Sequence, residues 1–115
     1  MDENPDKRGT PFIREEALER VGGDADFLNE LLALYDREFA SKMAALERAL
    51  TDGDTNAARE LGHNLKGASA NLSLPGLQAA AQEMETTGKA GDLKGARAAL
   101  DRLKNEYARL KAFRG

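Results

Sequence analysis

The chain has 115 residues, of which 41% are hydrophobic and 32% charged, and its formal net charge is −3. This length suits a single domain, and the composition is ordinary for a soluble helical protein. The small negative charge argues against nucleic acid as the main partner. No cysteine is present, which excludes disulfides and thiol chemistry and fits a cytoplasmic location. No apolar run approaches the roughly 18 residues of a membrane span, so we expect no membrane partner.

The first ten residues differ from the rest of the chain. Residues 1–10 are polar and lack apolar periodicity, so we interpret them as a disordered arm or the remnant of a linker. The folded domain is then expected to occupy residues 11–115. Thr10 is predicted to cap a short first helix with Pro11 in its first position, and Gly22-Gly23 ends it. Its apolar face is predicted to consist of Ile13, Ala17, Leu18 and Val21.

A long second helix follows. Asp24 or Asp26 is predicted to cap it, and it should run for about 26 residues to Ala49 or Leu50, long enough to span a bundle. Gly53 lies in the break that ends it. Its apolar residues follow a near-heptad spacing: Phe27, Leu28, Leu31, Leu32, Tyr35, Phe39, Met43, Leu46 and Leu50.

Three further helices are predicted. Asp54 caps the third, Ser73 caps the fourth with Pro75 in its first turn, and Asp92 caps the last. The chain contains one valine and one isoleucine and no β-branched run, so no strand is predicted. The fold class is therefore all-α, an antiparallel up-down four-helix bundle with a short extra N-terminal helix. The apolar stripes of the last two helices are Leu77, Ala80, Ala81 and Met84, and Leu93, Ala96, Leu100, Leu103, Tyr107 and Leu110.

Residues 63–72, with the sequence HNLKGASANL, contain the only histidine in the chain. In a helix, residues at spacings of three and four share a face, and here that face is predicted to be buried. It consists of Leu61, Leu65, Ala68 and Leu72. His63 lies about 200° round from Leu61 and should therefore point to solvent. Its own face is almost bare apart from the imidazole, with Glu60, Gly67, Ala70 and, alongside, Lys66.

An exposed imidazole next to small residues suggests group-transfer chemistry. Imidazole titrates near neutral pH and is a nucleophile when neutral. Lys66 lies one turn beyond His63 and can offer positive charge to an incoming phosphoryl group. Gly67 costs roughly 1 kcal/mol in a helix interior, which indicates close approach by another surface. The alternative is that a lone exposed histidine is merely a solvated residue. Metal binding is less favoured, because one histidine without cysteines is a weak ligand set.

Residues 63–72 resemble the signature of histidine-containing phosphotransfer (HPt) domains of multistep two-component signalling. The resemblance extends beyond this motif. Residues 24–28 with the long helix after them, the break at 53–54 and the run at 77–85 fall where the family has corresponding features. In total the resemblance covers residues 11–113 and implies the helical bundle described above.

The resemblance also implies roles for individual residues. By this likeness His63 is the phospho-accepting residue, Lys66 stabilises the phosphoryl group, and Gly67 clears space. Two positions depart from the family pattern. Ser73 stands where the family usually has glycine. Gly62 stands where alanine is common, and we expect it to loosen the helix at the site.

The function implied by this resemblance is that of a phosphorelay intermediate. A receiver-domain aspartate would donate its phosphoryl group to His63, which would pass it to another receiver. The partners would be receiver domains of hybrid histidine kinases and of response regulators. The sequence lacks a nucleotide-binding loop, a second acid or base and a carboxylate cluster for Mg²⁺. We therefore expect a phosphocarrier without kinase activity or a cofactor of its own, with Mg²⁺ on the receiver.

A docking surface for the receiver is also implied. In the HPt family, apolar residues near the start of the long helix form part of the docking surface. The corresponding residues here are Phe27 and Leu31, and we add Ala70, which lies on the same face of its helix as His63. Burial in the core is an equally good interpretation of Phe27 and Leu31. On the fourth helix, Gln82 or Glu85 could reach the site, but a solvated face is favoured for both.

Two other functions remain open at this stage. The chain could be a helical adaptor in which His63 is incidental, and phosphorylation by an acyl phosphate donor and a receiver would separate the two. It could also be a fragment of a larger hybrid sensor kinase, with the same chemistry but a covalently attached partner. In either setting we expect a cytoplasmic monomer.

Overall fold

The computed structural model describes residues 9–114. Over that range it has five helices and no strand: α1 (Arg14–Arg20), α2 (Ala25–Thr51), α3 (Thr55–Asn71), α4 (Pro75–Lys89) and α5 (Leu93–Arg114). The predicted all-α class is confirmed. Most of the predicted disordered arm, residues 1–8, lies outside the described residues. Of its last two residues, Gly9 accepts a hydrogen bond from Nη2 of Arg109 at 2.9 Å.

Helices α2 to α5 close into a ring, in which α3 packs between α2 and α4, and α5 packs against α4 and α2. The links at 52–54, 72–74 and 90–92 are too short for parallel neighbours, so successive helices run antiparallel. The 27 residues of α2 span most of the 44 Å long axis at about 1.5 Å per residue. The predicted up-down bundle is therefore confirmed. Its core is aliphatic, with leucines such as Leu28, Leu46, Leu50, Leu65, Leu77 and Leu103 fully buried.

Three aspartates begin the helices as the sequence predicts. The side chains of Asp24, Asp54 and Asp92 each accept a hydrogen bond from the backbone N–H three residues later, at 3.0, 3.0 and 2.9 Å. Asp24 rather than Asp26 caps α2. Each cap satisfies one backbone donor that has no partner within its helix and is worth about 1 kcal/mol.

The predicted start of α1 is wrong. The helix begins at Arg14, with Ile13 rather than Thr10 at the N-cap position, and no side chain caps it. Phe12 and Ile13 are buried, and the backbone N–H of Ile13 donates to the carbonyl of Ser73 at 3.0 Å. Because this segment is bound to the turn between α3 and α4, it cannot also form the first turn of α1.

Ser73 does not cap α4, contrary to expectation. Its φ of 57° is left-handed, and it follows the last turn of α3. Its N–H donates to Ala70 at 3.1 Å, and the N–H of Leu74 donates to Ser69 at 2.9 Å. This pair of bonds is a Schellman motif, in which glycine is the usual left-handed residue. Ser73 therefore ends α3, and its hydroxyl accepts a hydrogen bond from Nη1 of Arg20 at 2.7 Å.

The same guanidinium binds the carboxyl end of α3. Nη1 of Arg20 lies 2.8 Å from the carbonyl oxygen of Ala70 and 3.0 Å from that of Asn71. Carbonyls in a last helical turn lack partners within the helix and carry its negative dipole end, so a cation is stabilising there. Helix α1 thus holds the end of the helix on which His63 lies.

The buried face of α3 differs from the predicted one. Leu65 and Leu72 are buried as expected, but Leu61 is only half-buried and Ala68 is exposed. Ser69 is fully buried and shares a hydrogen bond of 2.8 Å with the hydroxyl of Tyr35, which removes the cost of burying both groups. The buried residues of α3 are Ala58, Gly62, Leu65 and Ser69. Compared with the prediction, the helix is rotated about its axis so that a face with more small residues packs against the core.

Two glycines, Gly62 on α3 and Gly88 on α4, bring these helices into backbone contact. A Cβ atom added to Gly62 would lie 2.7 Å from the amide nitrogen of Glu85 and 3.0 Å from the carbonyl oxygen of Ala81. One added to Gly88 would lie 2.6 Å from the amide nitrogen of Arg59. Gly62 therefore does not loosen α3, as the sequence suggested. It lets the backbone of α4 approach at the position next to His63.

This close approach predicts that Gly62→Ala destabilises the protein. Alanine gains up to about 1 kcal/mol of helix propensity, but its methyl group would meet backbone atoms that cannot turn aside, and overpacking costs about 1–3 kcal/mol. We expect a fall in the melting temperature measured by circular dichroism. Gly67→Ala on the same helix is the matched control, because its Cβ meets nothing within 4 Å, and it should melt higher. Equal stabilisation by both substitutions would contradict the close packing.

Candidate functional site

His63 lies on the outer face of α3, and 62% of its side chain is exposed. It follows the buried Gly62 and precedes the buried Leu65 by two positions, so the core face of the helix points away from the ring. Within the described chain, the imidazole makes one hydrogen bond, between Nδ1 and Oε2 of Glu85 at 2.9 Å. Nε2 is the ring nitrogen without a hydrogen-bond partner among residues 9–114.

Glu85 also binds Lys66. Its other oxygen, Oε1, lies 2.7 Å from Nζ of Lys66, so one carboxylate from α4 holds two side chains one turn apart on α3. The sequence analysis favoured a solvated face for Glu85, and that interpretation is wrong. Glu85 and Lys66 are only 20% and 29% exposed. Glu85 is 22 residues from His63 in the sequence, so no local pattern could predict their contact. The contact depends on how closely α4 approaches α3 at Gly62.

The electrostatics of this cluster favour an ionised carboxylate. The contact with the Lys66 ammonium is the largest cause that lowers the pKa of Glu85, and the hydrogen bond with His63 lowers it further. Together these two contacts outweigh the partial desolvation of the carboxyl group, which alone would raise its pKa. Glu85 is therefore charged at neutral pH and can only accept hydrogen bonds.

Gln82 lies one turn before Glu85 on α4 but does not join the cluster. Its side chain is exposed and donates a hydrogen bond to Oγ1 of Thr86 at 3.1 Å, so the favoured interpretation of a solvated residue agrees with the structure here. It lines a shallow cavity of about 430 Å³ beside Lys66, together with Pro75 and Gln78.

Gly67 leaves open space on the face of the imidazole. It is exposed, and a Cβ atom built there would meet no heavy atom within 4 Å. Its absence of a side chain is therefore not required by packing inside the domain. A larger residue at this position would lean toward the N-terminal end of α3, over His63.

The predicted docking residues lie near an apolar groove between α2 and α3. Phe27 is 46% exposed, Leu31 is half-buried and lines the groove, and Ala70 is half-buried near the end of α3. The sequence analysis missed two contributors. Leu34 is 45% exposed, and Ala68 was assigned to the core but faces the groove. The groove of about 290 Å³ is lined by Leu31, Leu34, Tyr35, Glu38, Ala68, Asn71 and Leu72.

Among residues 9–114, no group of three or more His, Cys, Asp or Glu side chains could hold a metal ion. None of the five helices combines the length and apolar character needed to cross a bilayer.

One helix of the bundle thus presents an exposed histidine with a lysine and a glycine one turn away. Residues 30–113 match the family model described as the Hpt domain. The chain therefore belongs to the Hpt family, the histidine-containing phosphotransfer domains of two-component relays. Members of this family are phosphocarrier modules rather than kinases.

A curated relative places the family in a larger protein. Over 99 residues, 86% of this chain, the sequence is 36% identical to the sensor histidine kinase GacS of Pseudomonas protegens. The chain spans 11% of the length of that kinase. The similarity therefore concerns one module of the relative.

Proposed function

We propose that this domain is a phosphorelay intermediate in which His63 receives a phosphoryl group from the aspartate of one receiver domain and passes it to that of another. The observation that carries this proposal is the 62% exposed imidazole, whose Nε2 has no hydrogen-bond partner among residues 9–114, with the open surface of Gly67 one turn away. The domain contributes the nucleophile and its positioning, and the receiver contributes the Mg²⁺. On this account the chain has no kinase activity of its own and acts as a cytoplasmic monomer.

The receiver would dock over the apolar surface between α2 and α3, on the helix that carries His63. We place Phe27, Leu31 and Ala70 in this contact and add Leu34 and Ala68, which the structure brings to the same groove. A contiguous patch of exposed apolar side chains typically marks a protein interface, and Phe27, Leu31 and Leu34 line one shallow cavity together. Both receivers would use the same surface in turn, because a single histidine serves both transfers.

Transfer from an isolated receiver tests this function. A receiver domain phosphorylated on its aspartate with labelled acyl phosphate is purified, mixed with this protein, and followed with time. We expect loss of label from the receiver and its gain by this chain in the presence of Mg²⁺. An adaptor without phosphotransfer chemistry would bind the receiver and leave its label in place, which would overturn the proposal.

Lys66 is predicted to stabilise the transferred group. A charge-assisted hydrogen bond is worth about 1.5–3 kcal/mol when shielded, and partial exposure of Lys66 places the effect at the lower end, about tenfold in rate. Lys66→Ala should therefore slow transfer or shorten the phosphohistidine lifetime about tenfold without unfolding the protein. Lys94→Ala, which removes an exposed lysine from α5, is the matched control. Unchanged rates and lifetimes in Lys66→Ala would show that Lys66 is only a solvated residue.

A further inference from the structure

The outer face of α2 carries two charged side chains next to the proposed docking surface. Glu30 and Arg37 are exposed, and they line the same shallow cavity of about 430 Å³ as Phe27, Leu31 and Leu34. The two charges are seven residues apart, which corresponds to two helical turns or roughly 10 Å along the helix axis. An acidic group and a basic group therefore occupy fixed positions beside one apolar patch.

The two charges form a row that runs parallel to the apolar side chains. At about 100° of turn per residue, Glu30 and Arg37 lie about 60° round the helix from Phe27 and Leu34, respectively. Leu31 lies on the opposite side of Phe27, where it lines the groove between α2 and α3. The charged row is therefore the outer edge of the docking surface, on the side away from α3. Protein interfaces commonly have this arrangement, an apolar centre with a polar rim.

Neither charge is neutralised within the described chain. Glu30 and Arg37 make no ion pair and no side-chain hydrogen bond with any of residues 9–114. Three other acidic residues of α2 are paired, as Asp36–Arg114 at 3.0 Å, Glu38–Lys42 at 2.9 Å and Glu47–Lys104 at 2.5 Å. The charges at the edge of the docking surface thus remain available to a partner, whereas those three pairs are satisfied within the domain.

We propose that Glu30 and Arg37 select the receiver by its charge pattern. The receiver surface that lies along α2 carries a basic side chain opposite Glu30 and an acidic side chain opposite Arg37, roughly 10 Å apart. This inference rests on the proposed function and adds the chemistry of the partner. The apolar residues offer contact area to any apolar patch, whereas an ordered pair of opposite charges fits one polarity of the partner.

The two charges contribute to selectivity more than to affinity. An ion pair between exposed side chains contributes little, because water and salt screen it and both side chains must be ordered. A receiver of the opposite polarity, however, brings like charges together at both positions, which penalises the complex and slows the encounter. Receivers should therefore differ mainly in how readily they dock, and little in the transfer step that follows.

A charge swap tests this inference in the intact protein. The double variant Glu30→Arg/Arg37→Glu keeps the net charge and every apolar residue and reverses only the polarity. The probe is an isolated receiver domain that binds the wild type. At low ionic strength we expect its Kd in binding titrations and its KM in transfer each to rise roughly tenfold, with kcat close to the wild-type value. The rise should shrink at about 1 M salt, where the Debye length is about 3 Å.

The matched control exchanges the same residue types away from α2. Glu83 on α4 and Arg102 on α5 pair with each other at 2.6 Å, so Glu83→Arg/Arg102→Glu preserves an ion pair while it reverses both charges. This variant should bind the receiver and accept its label as the wild type does. Both double variants should keep the wild-type melting temperature, because neither loses an internal ion pair.

Charge reversal on the receiver identifies the partner groups. Each acidic side chain of the probe is changed to lysine in turn and tested against Arg37→Glu, and each basic side chain is changed to glutamate and tested against Glu30→Arg. We expect one acidic and one basic position to restore docking to these variants and to weaken docking to the wild type. Such coupling between two substitutions indicates that the two side chains are in contact.

An unchanged Kd and KM in the charge swap would overturn this inference, as would the lack of any compensating reversal on the receiver. A loss of the same size with phosphoramidate, a small phosphodonor that does not dock, would show that the swap disturbs the imidazole and would also contradict it. Failure of the proposed function looks different, because receivers then bind the wild type with a Kd that depends on the swap but transfer no label. A wild type that binds no receiver would overturn both.

Discussion

Replacing His63 with glutamine is expected to abolish phosphorylation of this protein by receivers and by small phosphodonors. Glutamine has no nucleophilic nitrogen at this position, so no phosphoramidate can form. The fold should not change, because the imidazole is 62% exposed and makes one hydrogen bond in the described chain, which a glutamine amide can also donate. Circular dichroism and thermal melting should therefore match the wild type while label incorporation falls to background.

The chemistry of the wild-type label gives an independent check. A phosphate on the imidazole of His63 should be labile in acid and stable in base, whereas phosphate esters of serine or threonine behave differently. Asn56→Ala on the same helix is a suitable control, because Asn56 is exposed, lies two turns before His63, and its side chain accepts hydrogen bonds from Arg59. It should be labelled normally. Label that persists in His63→Gln would show that another residue accepts the phosphoryl group.

Gly67→Gln should separate stability from function most clearly. Outside the backbone of α3 itself, no heavy atom of the described residues lies within 4 Å of the added Cβ, so this atom meets no clash and the substitution gains up to about 1 kcal/mol of helix propensity. The new side chain would lean back over His63 and hold a docking receiver away from the imidazole. Because a displacement of about 1 Å can cost about a hundredfold in rate, we expect receiver-to-His63 transfer to fall by about that factor while the melting temperature is kept or raised.

Two comparisons isolate the cause of that loss. Phosphoramidate needs less room than a receiver domain, so its rate should fall much less in Gly67→Gln. Gly67→Ala adds only a methyl group and should gain stability while transfer stays near the wild-type rate. If Gly67→Gln melts higher and still accepts phosphate from a receiver at the wild-type rate, the proposed docking surface is wrong.

Features that depend on local chemistry could be predicted from the sequence. The aspartate caps at Asp24, Asp54 and Asp92 each act within three residues, and Gly53 adopts the left-handed φ of 72° that its position after α2 requires. The heptad-like spacing of α2 identified most of its buried side chains, because a long helix repeats its pattern many times, but it also included Phe27, which is exposed. The exposure of His63 on α3 followed from the same periodicity.

Features that depend on contacts between helices could not be predicted. The serine at position 73 was interpreted as an N-cap because its side chain suits one, yet the turn places it in a left-handed conformation bound by Arg20. The apolar pattern placed Ala68 in the core, whereas the buried Ser69 hydroxyl finds Tyr35. Glu85 carries no local signal of its own, because its role depends on two glycines that bring α4 against α3.

The contacts of α1 determine where the N-terminal boundary of this domain should be placed, both in experiments and in comparisons with relatives. The family match begins at residue 30, inside α2 and after the whole of α1. Arg20 nevertheless satisfies two carbonyl oxygens and a hydroxyl at the end of α3, and Ile13 hydrogen-bonds to the turn that follows. The segment that matches the family is thus shorter than the segment that folds as a unit. A domain that began at residue 30 would lack Arg20, and the last carbonyl groups of α3, the helix that carries His63, would lose their hydrogen-bond donor.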